Sequence, residues 1–222
     1  MGKLIAIEGL DGSGKSTQIE LLAKRLGENG IEAKTVSFPN YESDSSALVK
    51  MYLGGEFGSN AGDVNAYTAS LFFAVDRFAS FRTGWQEYFD NGGVVVSARY
   101  TTSNAIHQTS KLPEKEWDEY LDWLFDTEFS KMPLPAPDLV IFLDMPPEVS
   151  QKMLSGRYEG DESKKDIHER DTKYLENCRK AAKYIAEKYN WLTVNCAENG
   201  EPRTRADISD EIFEAVKKAI GR

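Results

Sequence analysis

Residues 9–16 read Gly9-Leu10-Asp11-Gly12-Ser13-Gly14-Lys15-Ser16, the spacing G-x-x-x-x-G-K-S, with Thr17 next in line. Glycines at 9, 12 and 14 let a backbone curl with its N–H groups pointing inward, and a helix starting there adds the positive end of its dipole. Phosphates are then cradled by main chain. Lys15 reaches the β- and γ-phosphoryl oxygens, and the Ser16 hydroxyl takes Mg2+. The motif works only between a strand and a helix. Leu4-Ile5-Ala6-Ile7 supplies the strand, and Ile19, Leu22, Ala23 and Leu26 recur at helical intervals after it. A nucleoside triphosphate is the expected ligand, with Gly9, Asp11, Gly12, Ser13, Gly14, Lys15, Ser16 and Thr17 as its contacts.

Three further features bear on what the phosphates are used for. Arg99 follows the apolar run Val94-Val95-Val96, where it either faces the phosphate loop across the cleft or caps a strand end. Phe73 and Arg77 are four apart on one helical face and can offer a stacking ring and a hydrogen-bond fork to a base. On so apolar a helix Phe73 can equally be core. Residues 155–165 are polar, glycine-punctuated and basic, which suits either a mobile lid or solvated surface.

These residues need a frame. Apolar runs at residues 34–38, 94–96, 139–143 and 192–194 alternate with helical patterns, among them a long stretch from about Asn65 to Phe89 and a closing amphipathic segment through Ile208, Ile212, Phe213 and Val216. Strands alternating with helices predict a parallel sheet covered on both faces, with ligands at the carboxyl ends of its strands. The chain of 222 residues is 41% hydrophobic and 28% charged, and reads as a single domain over 1–222. No apolar run approaches the roughly 18 residues of a membrane span, no secretory leader is expected, and Cys178 and Cys196 lack metal-site spacing. A cytoplasmic, reducing setting is expected. The net charge of −9 argues against binding a nucleic-acid backbone, so any small anionic ligand needs locally concentrated cations.

As a set these residues resemble the thymidylate kinase family over nearly the whole chain. The resemblance rests on Glu8 to Thr17, Phe38-Pro39-Asn40-Tyr41, Leu71 to Arg77, Arg99-Tyr100 with Ser103-Asn104, and Pro137 to Asp144. It implies an α/β P-loop kinase fold: a five-stranded parallel sheet, helices on both faces and a lid at about 155–168. The implied reaction moves the γ-phosphoryl of ATP to dTMP with Mg2+, in a homodimer. By that resemblance Phe73 stacks on thymine, Arg77 donates to O4 and Asn104 reads N3. Arg99 holds the acceptor phosphate with Ser103 alongside, Pro39 and Tyr41 line the acceptor pocket, and Asp11 approaches the acceptor. The phosphate loop has no arginine between Asp11 and Ser13, so Arg157 in the lid is the candidate catalytic cation, with Lys164 and Lys165 behind it. The chain departs from the family pattern twice. Ala98 stands where an aspartate commonly helps Mg2+, and His107 where an aromatic residue commonly packs against the acceptor sugar.

An acceptor that is already a phosphate has a second pKa near 6 and needs no general base. Two other readings stay open on the residues. A kinase of another nucleotide or nucleoside would share the loop without needing Phe73, Arg77 and Asn104 together, and a GTP switch would carry an Asn-Lys-x-Asp sequence, which is not found.

Overall fold

The computed structural model describes residues 1–58, 60, 62–157 and 172–222, except for the side chains of 154–157 and 172. The chain runs β1 (Lys3–Gly9), α1 (Lys15–Glu28), β2 (Ala33–Ser37), α2 (Ala47–Leu53) and α3 (Ala66–Ser80). A π turn at Phe81–Trp85 leads to α4 (Gln86–Asp90), then β3 (Val94–Ala98), α5 (Thr101–Thr109) and α6 (Trp117–Phe125). A second π turn, Asp126–Lys131, precedes β4 (Leu139–Asp144), α7 (Pro147–Arg157), α8 (Thr172–Lys188), β5 (Leu192–Asn195), the short pair β6 (Ala197–Glu198) and β7 (Glu201–Pro202), and α9 (Arg205–Ala219).

The five main strands pair in the order β2-β3-β1-β4-β5, all parallel. Side chains alternate across β1, so Ile5 and Ile7 pack with Leu22 and Leu26 of α1 and Ile212 and Val216 of α9. Leu4 and Ala6 face the other way, onto Phe81, Trp85 and Phe89. Both faces of β1 are therefore buried, which its continuous apolar run required. The chain leaves β1 toward β2 on one side and later returns to β4 on the other, so the loop after β1 opens at the switch point of the sheet.

The anticipated helix over 65–89 is one helical stretch interrupted by the π turn. That wider turn brings residues four apart closer to a common line, keeping Phe81, Trp85 and Phe89 against the sheet. The second strand begins one residue earlier than the apolar run suggested, and the β6–β7 pair was not anticipated because strands of two residues carry no periodicity.

Just beyond α5, Lys111 is largely enclosed. Its Nζ donates to the Tyr52 hydroxyl at 2.7 Å and lies 5.1 Å from that ring's centre. Burial lowers its pKa to about 8. In the unfolded chain the amine titrates near 10.4, so between pH 8 and 10 the unfolded state binds more protons and stability should rise with pH. Compared with Lys111→Met, the wild type should gain about 1–3 kcal/mol of unfolding free energy across that window in urea titrations. An unchanged difference would show that the amine is not desolvated.

Candidate active site

The phosphate loop is built by conformations only some residues tolerate. Gly14, at the start of α1, has φ 88°, a left-handed backbone that costs other residues about 1–2 kcal/mol. A Cβ on Gly9 would stand 2.5 Å from Ser13 Oγ. Lys15 folds back over the loop, its Nζ 2.8 Å from the Gly9 carbonyl, 2.9 Å from that of Leu10 and 3.8 Å from Asp11 Oδ1. An anion entering the cradle can take over these donor bonds.

Arg99 crosses the cleft as anticipated. It is a non-glycine residue with φ 63°, turning sharply from β3 toward α5. The turn is held by Glu8, a fully buried carboxylate on the strand that leads into the phosphate loop. Glu8 accepts from the Tyr100 N–H at 2.9 Å and from the Thr102 and Ser103 hydroxyls at 2.6 Å each, capping α5 with a negative charge at its positive end. Arg99 Nη2 lies 2.5 Å from Asp11 Oδ1, and Nη1 lies 3.0 Å from His107 Nε2. Since a guanidinium only donates, His107 accepts through Nε2 and carries its proton on Nδ1, toward the Tyr174 hydroxyl at 3.3 Å and Cys178 Sγ at 3.6 Å. Burial pushes the Tyr174 phenol well up and the Cys178 thiol up to about 11, so both stay protonated at neutral pH.

Beyond Arg99 a second cluster forms. Asp76 binds the Asn40 N–H at 2.8 Å and the Ser45 hydroxyl at 2.6 Å, pinning the loop that carries Pro39 and Tyr41. Arg77 is 1% exposed and pairs in two-pronged fashion with Glu128 from the turn after α6, at 2.7 and 2.6 Å. Asn104 Nδ2 lies 3.2 Å from the same carboxylate. Phe73 meets Tyr52 edge-on at 6.2 Å.

One cavity of about 720 Å3 joins the two clusters. Asp11, Gly12, Gly14, Lys15, Ser16 and Thr17 line it on the loop side; Pro39, Tyr41, Phe73, Arg77 and Asn104 line the other, with Arg99, Ser103 and His107 also on its wall. Gly9 and Ser13 do not line it. Gly9 O accepts from Lys15, and the buried Ser13 donates its N–H to the Leu10 carbonyl, so both shape the loop from behind. Arg157 closes α7, but its side chain lies outside the described residues, as do Lys164 and Lys165. Sequence reasoning missed Arg205, Tyr174 and Glu128. Glu128 had a signal: it follows Tyr120 and Leu124 at intervals of four on a buried helical stripe, where a carboxylate needs a partner.

Asp144 ends β4 near the loop but is engaged elsewhere, by Arg179 at 2.7 Å and Lys183 at 3.1 Å. Burial would raise its pKa; the hydrogen bonds from these cations outweigh that and hold it below the usual carboxylate range.

A family model described as thymidylate kinase matches residues 7–208. The chain belongs to the thymidylate kinase family. A thymidylate kinase of Mycobacterium tuberculosis is 34% identical over 76% of this chain and 78% of its own length. A probable thymidylate kinase of Thermococcus gammatolerans is also 34% identical, over 99% of this chain and all of its own. The solved thymidylate kinase structure from Candida albicans, 22% identical, aligns with a TM-score of 0.72 over 99% of this chain and 93% of that one, a likeness of fold. As a member of the thymidylate kinase family, the protein is an ATP-dependent transferase that phosphorylates dTMP to dTDP.

For this thymidylate kinase the anchor of the site is Glu8. Glu8→Gln keeps the shape but turns an amide N–H2 toward converging donors, so it should cost about 2–3 kcal/mol of stability. Urea unfolding of the purified variant checks this, and a loss below about 0.5 kcal/mol would mean that α5 is capped by other means.

Proposed function

We propose that the cavity takes dTMP and the phosphates of ATP at once, on opposite walls. The observation that carries this reading is the continuity of one 720 Å3 space from the phosphate loop to the Phe73, Arg77 and Asn104 cluster. In this reading the loop N–H groups and Lys15 hold the donor triphosphate, and Arg205, which also lines the cavity, adds a cation near the loop. Arg99 and Ser103 hold the acceptor phosphate, with Asp11 released from Arg99 as the phosphate arrives. Phe73 stacks on the base and Arg77 and Asn104 read its edge, while Pro39 and Tyr41 close the pocket. His107 packs against the acceptor sugar and orients Arg99 through its 3.0 Å contact.

The acceptor is a dianion at neutral pH, so no side chain needs to remove a proton. What opposes reaction is the repulsion between two polyanions and the entropy of aligning them. Lys15 and Arg99 offset the first, and the two walls of the cavity lower the second. Arg157 is our candidate for the cation on the transferring group. A divalent ion fits this chain only if it arrives with the nucleotide. Ser16 offers its hydroxyl, Asp11 is the carboxylate on the loop, Ala98 offers nothing, and among the described residues no group of three His, Cys, Asp or Glu could hold a metal. We infer Mg2+, which when bound neutralises charge on the β- and γ-phosphoryl oxygens.

We further read 1–222 as one P-loop kinase domain working as a homodimer in the cytoplasm; the lid expected at about 155–168 lies, from residue 158 on, outside the described residues. Leu71 and Val75, one turn apart on α3, are 45% and 47% exposed, and Leu48 of α2 is 43% exposed, which favours a partner surface. Cys178 and Cys196 are free and buried, in keeping with a reducing compartment. Among the described residues no helix is long and apolar enough to cross a membrane.

Two measurements test this reading. ADP release from ATP-Mg2+ should be fastest with dTMP among dTMP, dUMP, UMP, dCMP, dGMP and AMP; faster turnover of AMP or dGMP would sink it. Arg99→Ala should lower kcat/KM for dTMP at least roughly 100-fold, because it removes a charge facing phosphoryl oxygens in an enclosed site. Near-wild-type turnover by the folded variant would remove Arg99 from the mechanism.

A further inference from the structure

Beneath the base-reading wall lies a carboxylate that touches no nucleotide in the reading above. Glu128 Oε2 accepts from Arg77 Nε at 2.7 Å and from the Thr101 hydroxyl at 2.6 Å. Its Oε1 accepts from Arg77 Nη2 at 2.6 Å and from Asn104 Nδ2 at 3.2 Å. An ionised carboxylate accepts only and has about four lone-pair sites, so the group is fully used. Arg77 stays protonated: burial alone would lower its pKa, but the Glu128 charge outweighs this and raises it. The pair is therefore a fixed element of the wall.

This arrangement decides which way Asn104 points. Its Nδ2 faces two groups that can only accept, Glu128 Oε1 and the Ser70 carbonyl at 3.1 Å. A flipped amide would set Oδ1 against both. Asn104 lines the cavity, and Oδ1 is the end left to it. Arg77 is constrained in the same way. With Nε–H and one Nη2–H on Glu128, three donors remain, two on Nη1 and one on Nη2, and the guanidinium carbon lies 5.9 Å from the centre of both the Phe38 and the Tyr100 ring. The wall thus presents a donor beside an acceptor. Thymine and uracil, with a carbonyl at position 4 and an N–H at position 3, complement it. Cytosine, with an amino group at 4 and a bare nitrogen at 3, mismatches at both.

We infer that Glu128 is a positioning residue that sets the donor–acceptor polarity of the base-reading wall and so excludes cytosine nucleotides. The inference rests on the base-pocket reading above. A site built to hydrogen-bond a substrate group rejects analogues lacking it by large factors, so wild-type kcat/KM should favour dTMP over dCMP by at least roughly 1,000-fold. Glu128→Gln cannot accept from all four donors, and its amide can donate to Asn104 Oδ1, which makes both amide orientations available. The dTMP/dCMP ratio should fall at least tenfold, with KM for dTMP rising more than kcat falls. A merely structural role would lower both substrates equally.

The outcomes separate cleanly. A wild type that uses dCMP as well as dTMP overturns the base-pocket reading, and this inference with it. A wild type that discriminates beside a folded Glu128→Gln variant with an unchanged ratio overturns the Glu128 inference alone. Should that variant fail to fold, Asn104→Asp reads the same constraint. Its new carboxyl must carry a proton to face Glu128 and the Ser70 carbonyl, so its dTMP kcat/KM relative to wild type should rise several-fold from pH 8 to pH 6. The other ionisable groups around it are Arg77 on α3, Tyr120 on α6 through the Ser70 hydroxyl, Tyr100 before α5 and Glu8 on β1. Burial raises both phenols above this range. Division by wild type cancels titration of the acceptor phosphate. A ratio independent of pH would overturn the inference.

Discussion

A single buried carboxylate ties the two halves of the reacting centre together. Glu8 precedes the first glycine of the phosphate loop, and its oxygens bind the Tyr100 N–H and the Thr102 and Ser103 hydroxyls, immediately after Arg99 at the start of α5. The phosphate loop and Arg99 come from strands that are neighbours in the sheet yet about ninety residues apart in the chain. That contact holds the residue after the strained Arg99 backbone, at φ 63°, while the Ile7 carbonyl and the Ser97 hydroxyl hold Arg99 itself. Misplacing a catalytic group by about an ångström can cost roughly 100-fold in rate, so the rigidity of this one capping interaction bears directly on chemistry.

A protein of net charge −9 has to bind two polyanions, and the cavity gathers Lys15, Arg77, Arg99 and Arg205. Three of these have a described internal acceptor. Lys15 rests on two loop carbonyls, Arg99 on Asp11, and Arg77 on Glu128. The first two pairings are exchangeable, since phosphoryl oxygens can replace a carbonyl or a partly exposed carboxylate. The third is not, because Glu128 is buried and fully coordinated, and breaking a buried pair is strongly unfavourable. In the proposed reading the exchangeable pairs face the phosphates and the fixed pair faces the base, which matches charge neutralisation on one side to shape and polarity reading on the other.

Helix α5 serves both sides through its periodicity. Arg99, Ser103 and His107 recur at intervals of four and meet on the cavity wall, the side proposed for the acceptor phosphate, while Thr101 and Asn104 turn toward Glu128. His107, where the family pattern has an aromatic residue, is held as a neutral acceptor by its neighbours, so the departure leaves Arg99 supported rather than exposed.

Much of this was legible from local rules. The glycine spacing, the strand before it and the helix after it are consecutive in the chain, and Phe73 with Arg77 and Arg99 with Asn104 lie within five residues of each other; their types and spacing carried the resemblance to the family. The sheet followed from alternation of apolar runs with helical periods. What no local rule contains is the partner of each charged group. That Glu8 caps α5, that Glu128 receives Arg77, Thr101 and Asn104, and that Asp144 is taken up by Arg179 and Lys183 are facts about segments far apart in sequence. Hydrogen-bond partners of buried polar groups are chosen by packing, and only the folded chain brings those segments within hydrogen-bonding distance of one another.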